Sequence, residues 1–250
     1  MGRGGRNTIL MIVGLLASVS SVEGQRARGP GGAFGVSFAA ANPTGDLGTL
    51  VDQGFGVEFS GAAPMAAEGH LRIRADLGFL VYGVERMRYC SFGCRIESEL
   101  TTTNSIVYGG IGPEIVLANG NIQPYVHGSA GFAYFVTSSS LDDRDGYGPY
   151  LETTNYSDGV FGFKYGGGIR VRMGGGRKPI FLDLGVERHD NGIANYLTRG
   201  DIVDNEDGSI TMFPNRSETD LLNFRVGISI GFPSYGSHGN DRRRSGHGRR

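Results

Sequence analysis

The sequence predicts an all-β chain, an eight-stranded antiparallel up-and-down barrel. Three observations predict it. Eight runs alternate apolar with small or polar residues, the connections between them alternate long and short, and glycine supplies 44 of 250 residues without a Gly-X-Y period. Successive side chains of a strand point to opposite faces, so each run has one greasy wall and one small or charged wall. Glycine in this number without that period excludes collagen, and the length suits one domain.

The N-terminus stands apart from the runs. Arg3 and Arg6 precede the apolar stretch Thr8–Val19 and then the small-residue region SVSSVEG. That order is a secretory signal peptide, predicted over 1–24, with an uncleaved anchor as the alternative. The mature chain is therefore expected outside the cytoplasm. A flexible linker (25–32, QRARGPGG) follows.

The first run is Ala33–Ala41, and a turn-rich segment leads to the second at Gly54–Gly61. The third, His70–Gly83, sets Leu71, Ile73, Ala75, Leu77, Phe79 and Val81 against Arg72, Arg74, Asp76 and Gly78. A long connection from Val84 to Thr101 carries Cys90 and Cys94, the only cysteines. In an exported chain such a pair is most simply a disulfide, which over so short a loop pins a tip and not the fold. The fourth run is Thr102–Ala118, the tight-turn signal Asn119-Gly120-Asn121 follows, and the fifth is Pro124–Thr137. An acidic loop, Ser138–Asp158, leads to the sixth run at Val160–Met173 and, after a short turn, to the seventh at Ile180–Arg188. A last long loop, His189–Asp220, delivers the eighth run, Leu221–Phe232.

Periodicity does not say which wall faces inward. A soluble lipocalin-like barrel turns its apolar wall in and could bind an apolar ligand. The minor wall here carries glycines and both charge signs: Glu58, Arg72, Arg74, Asp76, Glu114, Lys164, Arg170, Arg172, Asp183, Glu187 and Arg225. An eight-stranded interior is just filled by side chains, so small residues and paired charges suit it. Short turns on one side and long loops on the other are the asymmetry of barrels that span a membrane. In lipid a spanning sheet must close, because nothing else satisfies its edges. Solvated surface charges are the alternative account of the eleven.

The final run, LLNFRVGISIGF, has Leu222, Phe224, Val226, Ile228, Ile230 and Phe232 on one face and ends on an aromatic residue. It resembles the closing strand of bacterial outer-membrane barrels. From Ala33 to Phe232 the chain resembles the outer-membrane β-barrel domain family, the small eight-stranded barrels of Gram-negative bacteria, of the OmpA and OmpX kind. The resemblance implies an outer-membrane location, contact with membrane lipid and lipopolysaccharide, and recognition of Leu221–Phe232 by the barrel-assembly machinery. It implies a non-enzymatic role in envelope integrity, adhesion or partner contact, with an extracellular partner held by the loops. The chain departs from the pattern in having 18 residues beyond Phe232 and no Trp for interfacial girdles. Tyr82, Tyr108, Tyr134, Phe161 and Phe163 are the expected substitutes.

His127-Gly128-Ser129 matches the His-x-Ser pair of outer-membrane lipid A deacylases, but the next glutamate is Glu152, beyond a loop. An interior His and a small Ser are the expectation, with no catalytic residue, and a lipid A-modifying outer-membrane enzyme is the alternative. The acidic segments 142–146 and 204–208 lack the ligand spacing of calcium loops, so no metal and no cofactor is expected. They are read as solvated tips, with ion bridging to lipopolysaccharide as the alternative. The basic tail, 233–250, should be disordered. The net charge of −1 gives no reason to expect nucleic acid.

Overall fold

A computed structural model describes residues 31–65, 70–91, 96–143, 151–176, 178–207 and 209–232. The expected signal peptide, most of the linker, the Cys90–Cys94 pairing and the basic tail lie outside the described residues.

Eight strands close into one antiparallel barrel: β1 (Ala33–Pro43), β2 (Gly54–Pro64), β3 (Leu71–Ser91), β4 (Ile96–Val116), β5 (Ile122–Asp143), β6 (Leu151–Gly174), β7 (Ile180–Asn191) and, after the last long connection, β12 (Leu221–Gly231). That connection holds four short strands, β8 (Ile193–Tyr196), β9 (Ile202–Asp204), β10 (Ile210–Met212) and β11 (Asn215–Glu218), paired β8 with β11 and β9 with β10. One helical turn, α1 (Leu47–Leu50), lies between β1 and β2. No helix among the described residues is long and apolar enough to cross a membrane, which leaves strands free to do so.

The seam closes along the whole of β1, from Ala33 opposite Gly231 to Pro43 opposite Leu221. The register also fixes the tilt. From Val36 the line of paired residues crosses Phe59, Leu77, Gly109 and Phe132 and meets β6 at Phe161. In the other direction it crosses Ile228 and Leu182 and meets β6 at Val171, ten residues away. With about 3.3 Å per residue and about 4.8 Å between strands, that stagger tilts the strands by roughly 40°.

The walls are inverted relative to a water-soluble barrel. Phe38, Phe132, Phe161 and Val226 are each more than half exposed on the outside, and Arg74 and Glu114 are almost wholly buried inside. An apolar belt of this kind, continuous round a closed sheet, is a surface for lipid and not for water.

The height of the strands departs from expectation. β3 to β6 run to 21–24 residues, whereas β1, β2, β7 and β12 have 11 or 12. The segments expected as loops at 84–101 and 138–158 are largely strand. Thr101, Thr102 and Thr103 pair with Ser140, Ser139 and Ser138, which pair in turn with residues Glu152 to Thr154. These residues are polar on both faces, so they carry no alternation; backbone pairing together with side-chain hydrogen bonds such as that between Thr102 and Ser139 (2.8 Å) extends the sheet above the belt. The barrel therefore has a tall wall on one side and a low wall on the other.

Candidate functional site: the charged lumen and its apolar cap

The lower lumen is filled by ion pairs. Arg74 on β3 donates through Nε to Asp76 (2.6 Å), through Nη1 to Glu114 (3.2 Å) and through Nη2 to Glu58 (3.2 Å). Arg170 on β6 forks onto both oxygens of Glu114 (2.9 and 2.6 Å) and donates through Nε to Asp183 (3.2 Å). Arg72 lies 3.6 Å from Glu114. Lys164 donates to Asp76 at 3.2 Å, and Arg225 on β12 donates to Glu58 at 2.7 Å and lies 3.3 Å from Glu187. The inward ions among the described residues therefore balance. Five cations (Arg72, Arg74, Lys164, Arg170, Arg225) face five anions (Glu58, Asp76, Glu114, Asp183, Glu187). Burying charge without partners would be prohibitive, and this network supplies a partner for each.

Aromatic and imidazole groups complete the layer. Tyr108 donates to Glu58 (3.0 Å) and Tyr125 to Asp183 (2.7 Å). The Arg170 guanidinium lies 4.0 Å from the Tyr125 ring centre, and the Lys164 ammonium 5.0 Å from that of Tyr108. Glu187 holds His127 at 3.2 Å and His189 at 2.8 Å on its two oxygens. Gly78 is what allows the Tyr108 ring to lie flat on the wall, since a Cβ there would run into it. Gly168 gives Tyr125 the same clearance.

Above this layer the lumen is apolar. Leu80, Ile106, Ala133 and Phe135 point inward from the tall wall, and Leu47, Val51, Tyr196 and Leu221 close over them from α1, the β8–β11 connection and the low wall. A small apolar cavity lined by Leu47, Val51, Leu80 and Ile106 remains between α1 and the wall. The cap is fastened by polar contacts. Tyr82 donates to the Leu197 carbonyl (3.0 Å), and one carboxylate oxygen of Asp158 accepts from the Asn195 amide (2.7 Å) and side chain (2.8 Å).

Ten of the eleven expected inward charges line the lumen. Arg172 does not. Its side chain is exposed at the foot of β6 and donates to the Gly175 carbonyl (3.0 Å), because the sheet ends there and the turn offers solvent and a free acceptor. Tyr82 and Tyr108, expected in an outer girdle, point inward, while Tyr134, Phe161 and Phe163 do face outward. Sequence reasoning missed Tyr125 and His189 as lumen residues. His189 shares the parity of Asp183 and Glu187 along β7, which was the available signal.

The alternative enzyme reading does not find its carboxylate at Glu152. His127 and Ser129 are buried in the lumen and Glu152 is exposed high on β6; the carboxylate at His127 is Glu187. The Ser129 hydroxyl has no hydrogen-bond partner among the described residues. No cluster of three His, Cys, Asp or Glu able to hold a metal occurs among the described residues.

No family model matches the chain, and no curated protein does. Among solved structures, the attachment invasion locus protein Ail of Yersinia pestis is similar over 82% of this chain and 100% of its own, with 10% identity and a TM-score of 0.44. A major outer membrane protein from Thermus thermophilus is similar over 80% of this chain and 99% of its own, with 14% identity and a TM-score of 0.43. The outer membrane protein OprG from Pseudomonas aeruginosa is similar over 83% of this chain and 99% of its own, with 11% identity and a TM-score of 0.42. The fold assignment for this chain rests on the register and closure of its own strands.

Proposed function

We propose that this chain is a non-enzymatic protein of the Gram-negative outer membrane that acts by contact, through the tall β3–β6 wall and the loops beside it. The observation that carries this reading is the filled lumen. Ion pairs occupy its lower half and an apolar cap closes its upper half, so the barrel offers no aqueous route for transport. The apolar belt and the signal-peptide-like pattern of residues 1–24 support the location. The exposed aromatic Phe232 at the end of β12 supports recognition of that strand by the barrel-assembly machinery. A buried Ser129 inside a packed network supports the absence of catalysis.

Planar-bilayer recordings of the purified mature chain should show at most small, rare conductances. A steady porin-sized current would overturn the reading. Replacing 84–102 by a tight turn should leave a barrel that migrates differently boiled and unboiled, and should abolish attachment of cells that depend on it. Intact attachment together with a leaking envelope would favour a role in envelope integrity instead.

A further inference from the structure

We infer that the β7–β12–β1 face thins the bilayer beside it, seating lipid headgroups lower there than along β5 and β6. The inference rests on the membrane reading above and extends it to the lipid that each face selects.

Two outward residues at one height make the comparison. The stagger of ten residues over eight strands raises a paired row by a little over one residue per strand. Three strand steps from Phe132 on β5 therefore reach Leu222 on β12 at the same level, to within about one residue. Phe132 is flanked by Gly109 and Phe161, and Tyr134 stands one outward position higher on the same strand. Leu222 is flanked by Arg188 on one side and Asn42 on the other.

Those flanks are polar and engaged. Arg188 donates to Asp190 (2.6 Å) and Asp220 (2.8 Å), and Asn42 accepts from Gln53 (3.1 Å). A lipid-facing arginine is costly at mid-bilayer and nearly free at the interface, and mismatch is relieved by thinning the lipid. The ion cluster beside Leu222 therefore marks headgroup level on this face. Along β5 and β6 the same height is wrapped in aromatic rings.

The chain has no Trp, so single-Trp reporters are unambiguous. Phe132→Trp and Leu222→Trp variants are folded into dioleoylphosphatidylcholine vesicles containing lipids brominated at different acyl depths. The Phe132→Trp emission should be quenched most by mid-chain bromines. The Leu222→Trp emission should be quenched most by bromines near the headgroup, an offset of about 5 Å, or two residues of tilted strand. Equal depths would overturn the inference. Adding Arg188→Leu, Asp190→Leu and Asp220→Asn should move the Leu222 reporter deeper, and an unmoved reporter would also overturn it. Absence of quenching at both positions would instead reject the membrane reading itself.

Discussion

On β3 the inward side chains run Arg72, Arg74, Asp76, Gly78 and then Leu80 and Tyr82. On β5 they run His127 and Ser129 and then Ala133 and Phe135. The same strands thus line two layers held by different physics. In the lower layer each charged side chain has named partners at fixed distances, and removing one strands the others. In the upper layer the packing of Leu80, Ile106, Ala133 and Phe135 is non-directional, and a deletion among them leaves only a gap into which neighbours can relax.

Arg74→Leu should break the lower layer most severely, because Glu58, Asp76 and Glu114 each lose a partner. Removal of one member of a buried ion set costs about 3–5 kcal/mol, readable as a lowered urea midpoint of the barrel in vesicles. Leu80→Ala in the cap should cost about 3 kcal/mol through the cavity it opens. If Leu80→Ala proved the more damaging, the lower layer would not be the mechanical core of the barrel. Asp158→Ala removes the acceptor that pins Asn195 and should cost about 1 kcal/mol locally. It should speed proteolytic nicking of 197–207 and leave the urea midpoint unchanged. A shifted midpoint would mean that cap and lumen unfold as one unit.

A control lies outside both layers. Hydrogen bonds from the Ser209 hydroxyl and then its amide hold the Asp207 carboxyl below its ordinary value. A depressed carboxyl contributes above the ordinary carboxylate pKa and loses its contribution as pH falls through the lowered value. Hydrogen exchange at the Ser209 amide should therefore rise only below about pH 4, with no change at Asn195 or in the barrel.

The belt and the lower lumen were legible in the sequence because Arg72, Arg74 and Asp76 alternate with Leu71, Ile73 and Ala75 without a break. The cap was not. At Leu80 and Phe135 both walls of the strand are apolar, so period two disappears where the inward face changes character. The tall wall was hidden for the converse reason, since Thr101–Thr103 and Ser138–Ser140 are polar on both sides. Arg172 shares its parity with Arg170 and differs only in lying where the strand runs out, which alternation does not register. His127 meets Glu187 two strands away on β7, across Gly166 on β6 with which both pair, and not Glu152 high on β6, a contact set by the β5–β6–β7 register.

Arg225 arrives last. It reaches Glu58 across 167 positions of sequence, and it is the cation that β12 brings. A sheet that stops at β7 holds four inward cations against five anions and also lacks its seam. Closing a loop of that length is entropically unfavourable, growing slowly with length, so the final strand must repay the whole span at once. Sealing the seam and neutralising the lumen are then a single event. A stalled or truncated chain remains both open-edged and charged.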